Sequence, residues 1–142
     1  MSSIRRYDPY RLGTLDLFAE CTHKELDMVS ALLTPVNLEA GQVLMREGSA
    51  PREAFIVGSG SLQVTIADQD ALRTVGMAKD GEPLGEMSLL HDTARGATVT
   101  AVTKTTLYVA TPREFRSLLG NVPSFESKIV EIARKRQLAN AA

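Results

Sequence analysis

The part of the sequence that decides the fold reads Leu84-Gly85-Glu86-Met87-Ser88-Leu89-Leu90-His91-Asp92-Thr93-Ala94-Arg95-Gly96-Ala97-Thr98-Val99. A glycine and a carboxylate open it, a short apolar turn follows, and an arginine leads into a β-branched run. The turn is too short to be stable as an isolated helix, so the rest of the chain must hold it. A single helical turn after a glycine leaves several backbone N–H groups unpaired and pointing the same way, which favours an anion.

Two charged side chains in this stretch indicate what kind of ligand it would take. Arg95 carries a permanent charge and a planar fork of donors that suits a phosphate. Glu86 cannot bind a phosphate, and a sugar hydroxyl is a suitable partner for its carboxylate. A phosphate and a ribose hydroxyl on one small ligand describe a cyclic nucleotide.

The glycine and glutamate, the eight residues that follow, and the run Arg95-Gly96-Ala97-Thr98-Val99 resemble the phosphate-binding cassette of the cyclic nucleotide-binding domain family. That family includes the catabolite activator protein, the regulatory subunits of cAMP-dependent kinase and cyclic-nucleotide-gated channels. The resemblance extends from about Leu17 to Leu138. It implies that Glu86 takes the ribose 2′-hydroxyl and that Arg95 pairs with the cyclic phosphate. The ligand-binding residues that it implies are Gly85, Glu86, Met87, Ser88, Arg95, Gly96, Ala97 and Thr98.

Two residues depart from the pattern of the family. Gly96 stands where many members have Ala, Ser or Thr, and a hydroxyl there favours guanine in some relatives. The expected ligand is therefore cAMP ahead of cGMP. Ala94 stands where kinase-type cassettes have proline, so this loop is less constrained in the unfolded chain.

A second interpretation of the two charges stays open at this point. Glu86 and Arg95 could form an internal ion pair in a barrel that binds no ligand. A buried pair of this kind costs several kcal/mol to desolvate unless it is well paired. The two hypotheses are thus a receptor module for a cyclic nucleotide and an interaction or scaffold protein of the same fold that has lost nucleotide binding.

Composition limits the class of protein. The 142 residues are enough for one domain with a hydrophobic core, and 44% of them are hydrophobic and 23% charged. The formal net charge is −1, so no overall field attracts nucleic acid or an anionic membrane. No apolar run could span a bilayer, and Met1 to Tyr10 lacks the apolar core of a signal peptide. Cys21 is the single cysteine, which excludes an internal disulfide. We expect a cytoplasmic protein without membrane contact.

The order of patterns along the chain predicts a mainly β domain with flanking helices. Residues 1–16 are expected to form an N-terminal arm and residues 17–142 the domain. Thr22 and Glu25 match a capping box at the start of a helix. From about residue 36 to 111 the pattern changes to about eight short alternating strands, typical of an antiparallel sandwich or barrel. The resemblance makes this a jelly-roll-like β-roll.

The C-terminal part, about residues 112–138, reads as two helices. Thr111 and Glu114 form a second capping box, and Gly120 is expected at the C′ position of that helix. The second helix is expected from Pro123 to about Leu138, with an apolar face that contains Phe125, Ile129 and Ile132. Its end is basic, which we ascribe to the helix macrodipole. The basic residues are Lys128, Arg134, Lys135 and Arg136.

No residue pattern indicates catalysis, a metal site or a cofactor. The strands contain no Ser/His/Asp or Cys/His set, and His91 has no evident nucleophile to serve. Asp68 and Asp70 lack a third ligand, so a solvated turn is the simpler interpretation. In the family, DNA binding needs a helix-turn-helix module after the long helix, and the chain stops at Ala142, so we expect no specific DNA binding. The expected output is a signal through the C-terminal helix to a partner protein or a second copy.

Overall fold

The computed structural model describes the backbone of residues 9–141 and the side chains of residues 11–138. The helices are α1 (Pro9–Leu12), α2 (His23–Leu32), α3 (Glu86–His91), α4 (Pro112–Asn121) and α5 (Pro123–Ala141), with a 3-10 helix at Asp16–Phe18. The strands are β1 (Thr34–Leu38), β2 (Val43–Met45), β3 (Ala54–Ser59), β4 (Ser61–Asp68), β5 (Ala71–Lys79), β6 (Pro83–Leu84), β7 (Thr98–Ala101) and β8 (Thr105–Ala110). None of the helices in this part of the chain is long and apolar enough to cross a membrane.

The strands form two four-stranded antiparallel sheets. The first has the order β1-β8-β3-β6 and the second β2-β7-β4-β5. Neighbours are mostly distant in sequence, and among the strands of residues 9–141 only β4 and β5 form a hairpin of consecutive strands within one sheet. The expected fold class, a jelly-roll-like β-roll with flanking helices, is confirmed.

The first sheet separates two hydrophobic clusters because its side chains alternate between its faces. Phe55, Val57 and Leu107 face the second sheet and form the smaller cluster inside the roll. Ile56 and Tyr108 belong to the larger cluster, which the helices cover. The cassette contacts both clusters, because Leu84 belongs to the smaller one and Leu89 packs against the larger one.

Both predicted capping boxes are present. The Thr22 hydroxyl accepts a bond from the Glu25 amide at 3.1 Å, and Glu25 Oε1 accepts one from the Thr22 amide at 2.9 Å. Thr111 and Glu114 repeat this arrangement at the start of α4. Each N-cap contributes about 1 kcal/mol to helix stability. These local signals therefore fix where α2 and α4 begin.

The prediction for Gly120 is wrong. This glycine lies inside α4, and the residue after the helix is Val122, whose φ is −127°. The Val122 amide still donates to the Leu118 carbonyl at 3.0 Å, and Pro123 begins α5 at once. The chain turns between the two helices without a left-handed residue, so a glycine is not needed there.

The first eight residues of the predicted arm lie outside the described residues. The part that is described is not an arm, because α1 packs against α2 and Leu12 has no exposed surface. The packed unit therefore begins before residue 17, which was the expected boundary.

Helix α5 is part of the core. Phe125 stacks on Phe18 with ring centroids 5.2 Å apart, and it meets Phe115 edge-on at 6.2 Å. Ile129, one turn further along, is fully buried. Such aromatic pairs contribute about 0.5–1.5 kcal/mol beyond their buried area. The first half of α5 is thus anchored, and this anchoring directs its second half over the cassette.

Candidate functional site: two buried charges in a cassette

The cassette turns sharply between β6 and α3, and Gly85 makes this turn. Its φ is +78°, which non-glycine residues rarely adopt. A Cβ at this position would lie 2.6 Å from Arg95 Nη1 and 3.1 Å from the carbonyl oxygen of Glu53. The glycine is therefore required both by the backbone and by the close approach of Arg95. The helix after it, expected at residues 87–90, is one residue longer at each end.

The Arg95 guanidinium is held by neutral oxygens. Nη1 donates to the Ser88 hydroxyl at 2.7 Å and to the Gly85 carbonyl at 3.1 Å, and Nη2 donates to the Glu53 carbonyl at 2.6 Å. The guanidinium carbon lies 5.8 Å from the centre of the Phe55 ring, and the residue is only 5% exposed. These contacts fix the orientation of the guanidinium, but no anion among the described residues contacts its charge.

Two donors of Arg95 remain for a ligand. A guanidinium has five N–H groups, and the three bonds above use three of them. Nε–H and one N–H on Nη2 donate to no acceptor among the described residues. Burial lowers the pKa of Arg95, while the nearby carboxylates of Glu53 and Glu86 raise it in part. An anion at the two remaining donors would compensate the cost of burying this charge.

The backbone around Arg95 is also fixed. The Arg95 amide donates to the Ser49 carbonyl and the Gly48 amide donates to the Arg95 carbonyl, both at 2.8 Å. The Glu47 amide donates to the Thr98 hydroxyl at 3.0 Å. The turn at residues 47–49 therefore aligns the end of the cassette with the loop between β2 and β3.

A pocket of about 360 Å³ lies beside Arg95. This volume is within the range of small-molecule sites, about 300–1,000 Å³. It is lined by Val43, Leu44, Met45, Arg46, Ser49, Ala50, Arg52, Glu53, Phe55 and Arg95. A larger cavity of about 870 Å³ contains Tyr108 and Ile132, which belong to the helix-covered cluster on the other face of the first sheet. The pocket beside Arg95 has apolar walls and contains a buried guanidinium with two unused donors.

Glu86 faces the terminal helix. Its Oε1 accepts a bond from Arg136 Nη1 at 2.7 Å, and the same nitrogen donates to the Pro83 carbonyl at 2.8 Å. Its Oε2 is buried and has no partner among the described residues. The side chain is 1% exposed and lines a cavity of about 10 Å³ between the cassette, the first sheet, α4 and α5. A buried carboxylate with one oxygen unpaired is a costly arrangement that a hydroxyl donor would relieve.

The structure brings only some of the predicted site residues together. Gly85, Ser88 and Arg95 are in contact, whereas Glu86 does not line the pocket beside Arg95. No direct bond joins Glu86 to Arg95, so the internal ion pair that the sequence left open is not formed. Gly96 is exposed, and Met87, Ala97 and Thr98 are half-buried.

Sequence reasoning missed the partners that hold the two charges. The carbonyl of Glu53 and the ring of Phe55 contact Arg95, and nothing in the local sequence marks either. Arg136 was interpreted as part of a basic helix end, but it binds Glu86 fifty residues away. The one available signal was the expectation that a buried carboxylate needs a cation.

Comparisons with known proteins agree with this geometry. The family model "Cyclic nucleotide-binding domain" matches residues 35–121. The acetyltransferase Pat of Mycolicibacterium smegmatis is 33% identical over 128 residues, which cover 90% of this chain and 38% of that protein. The cAMP-dependent protein kinase regulatory subunit of Yarrowia lipolytica is 32% identical over 116 residues, which cover 82% of this chain and 30% of that protein.

A solved structure gives the same result in three dimensions. The regulatory domain of Toxoplasma gondii PKA with cAMP is similar with a TM-score of 0.68 and 29% identity, over 78% of this chain and 42% of that one. The chain thus spans less than half of the length of each of these three relatives.

Proposed function

The chain belongs to the cyclic nucleotide-binding domain family, and we propose that it is a receptor module for a cyclic nucleotide, cAMP ahead of cGMP. The observation that carries this proposal is the pair of unused donors on a buried arginine beside a pocket of small-molecule size. A charge-assisted bond is worth about 1.5–3 kcal/mol, so Arg95 is the main source of affinity for the phosphate.

The remaining roles follow from the chemistry of the cassette. The first-turn amides of α3, including those of Met87 and Ser88, have no intrahelical partner and suit the phosphate oxygens. The resemblance to the family adds the backbone of Ala97 to these contacts. Glu86 takes the ribose 2′-hydroxyl at its unpaired Oε2. Because that oxygen has no solvent contact, binding includes a shift of the cassette helix. Gly96 offers no hydroxyl to guanine, which supports cAMP over cGMP.

The output of the module is a change in α5, read by a partner protein or by a second copy of the chain in the cytoplasm. The contact from Arg136 to Glu86 supports this role, because it joins the helix to a residue of the site. The chain itself is proposed to carry no catalytic activity. The closed position of Glu86 is the one observation that favours the alternative, an interaction module that no longer binds nucleotides.

Calorimetric titration of the purified chain with cAMP, cGMP and 5′-AMP tests the proposal. We expect binding of cAMP, weaker binding of cGMP, and at least about a tenfold loss of affinity in Arg95→Ala because a bidentate charge-assisted contact is removed. Arg95→Lys keeps the charge without the fork and should be intermediate. Arg116→Ala, an exposed arginine on α4, is the matched control and should bind like the wild type.

Hydrogen exchange on the same samples tests the output. Saturating cAMP should change the protection of amides from Ile129 to Arg136 as well as those of the cassette. Wild-type protein that binds no cyclic nucleotide, or Arg95→Ala that binds as tightly as the wild type, would contradict the proposed ligand. Unchanged protection of α5 would contradict the proposed output.

A further inference from the structure

One arginine of the terminal helix joins two parts of the chain that the sequence separates by fifty residues. Arg136 Nη1 donates to Glu86 Oε1 and to the Pro83 carbonyl, at 2.7 Å and 2.8 Å. Its Nη2 lies 3.9 Å from a carboxylate oxygen of Glu82. The Arg136 side chain is 32% exposed while that of Glu86 is 1% exposed. The helix therefore reaches into the cassette at its one buried carboxylate.

We propose that Arg136 is a positioning residue for this carboxylate, so that the terminal helix sets how strongly the site prefers a ligand with a 2′-hydroxyl. The proposal rests on the proposed function, in which Glu86 accepts a bond from the ribose. It adds a residue that touches no ligand and acts only through Glu86.

The two oxygens of Glu86 make this role possible. Arg136 occupies Oε1 alone, and Oε2 is buried without a partner among the described residues. Once the cassette helix has shifted and exposed Oε2, a 2′-hydroxyl can donate to this oxygen while Arg136 keeps its bond to Oε1. The hydroxyl then satisfies an acceptor that is otherwise unpaired, whereas a 2′-deoxy ligand leaves it unpaired. The ribose and the arginine thus bind one carboxylate together rather than in turn.

Loss of Arg136 would remove the hydrogen-bonded cation that stabilises the buried carboxylate of Glu86. A carboxylate without its cation in a site of this burial is strongly unfavourable. The side chain would leave that position for water, and the 2′-hydroxyl would lose its acceptor. Arg95 makes no contact with Arg136, so the phosphate site would remain. The affinity for 2′-deoxy-cAMP should therefore change little, and the affinity for cAMP should fall to about the same value.

Titration of the full chain with cAMP and 2′-deoxy-cAMP tests the role of Arg136. We expect the wild type to prefer cAMP by at least about tenfold, the value of one hydrogen bond to a charged group. Arg136→Gln should reduce this preference to within about twofold, mainly by weakening cAMP. Arg136→Lys keeps a cation near Glu86 and should restore part of the preference. Arg134→Gln removes an exposed arginine of the same helix that bonds only to Glu131, and should match the wild type.

The outcomes separate this inference from the proposed function. An unchanged preference for cAMP in Arg136→Gln would overturn the positioning role. Tighter binding of cAMP by that variant would also overturn it, because it would mean that the ribose displaces Arg136 from Glu86. If the wild type binds both ligands equally, Glu86 does not bind the 2′-hydroxyl. That result would overturn both the inference and this part of the proposed function. A wild type that binds neither would overturn the receptor itself. If Arg136→Gln does not fold, Arg136→Lys decides, because it should still narrow the preference.

Discussion

Each end of the cassette buries a charged side chain, but the two side chains are held by different kinds of contact. At its C-terminal end, Arg95 is buried among three neutral oxygens and keeps two donors unused. At its N-terminal end, Glu86 is buried against a cation from another helix and keeps one oxygen unused. The arginine is held by the roll and the cassette, so its position does not depend on α5. The glutamate is held by α5, so its position does. A ligand that uses both ends connects a rigid part of the molecule to a part that can report its presence.

The largest difference between the two ends should appear in stability without ligand. Arg95→Ala removes three hydrogen bonds and leaves the Glu53 carbonyl without this donor, whereas the Gly85 carbonyl keeps the Ser88 hydroxyl and the Leu89 amide. An unmade bond to a buried group costs about 1–3 kcal/mol. We expect the free energy of unfolding in urea to fall by about 3 kcal/mol. Glu86→Gln removes a buried charge that is only half satisfied, and its partner Arg136 can be hydrated. Its cost should be within about 1 kcal/mol.

The same comparison gives a binding measurement for Glu86→Gln. The variant should narrow the gap between cAMP and 2′-deoxy-cAMP, because an amide is a poorer acceptor than a carboxylate. A Glu86→Gln variant that is destabilised as much as Arg95→Ala would show that both ends are equally structural, and the comparison would fail.

Local signals predicted the parts of the fold that local interactions determine. The capping boxes at Thr22 and Thr111 begin α2 and α4 as expected, because each involves residues three apart. The alternation of strand residues likewise predicted an antiparallel sandwich or barrel, because successive side chains of a strand point to opposite faces of the sheet. The resemblance to the family made it a β-roll. Gly120 failed because a helix can continue through a glycine when the packing of Leu118 and Val122 fixes its path.

The candidate site could be predicted only in part. Glycine, glutamate and arginine at their spacing identified the cassette and the two charges, because the turn and both charged residues lie within sixteen residues of sequence. The sequence could not show that Arg95 would bind the Glu53 carbonyl or that Arg136 would bind Glu86. Both contacts depend on how elements distant in sequence pack together, so the spacing of nearby residues does not predict them.

The next largest effect should come from Gly85→Ala. A left-handed backbone costs a residue with a side chain about 1–2 kcal/mol, and the new Cβ would also meet Arg95 Nη1 and the Glu53 carbonyl. Gly41→Ala is the matched control, because Gly41 has a φ of +91° and open space around it. We expect Gly85→Ala to be the less stable variant in urea and to lose affinity for cAMP, while Gly41→Ala loses only stability. Equal effects in both would show that Arg95 can move aside, and that its position is not as rigid as the comparison requires.

The smallest effect should come from the glycine at the other end of the cassette. Gly96 has no left-handed φ, it is exposed, and a Cβ there would meet no atom within 4 Å. Gly96→Ala should therefore stabilise the protein by about 0.4–1 kcal/mol, because the substitution reduces the freedom of the unfolded chain at no cost to the folded one. The affinity for cAMP should stay within about twofold of the wild type, since the contacts of Arg95 are unaffected. Gly96→Ser places a hydroxyl beside the phosphate site and should narrow the gap between cAMP and cGMP in the same titration. If Gly96→Ala instead destabilised the protein as Gly85→Ala does, the C-terminal end of the cassette would be as constrained as the N-terminal end. That result would show that the backbone at position 96 is constrained, and it would contradict the expectation that this position accepts a residue with a side chain.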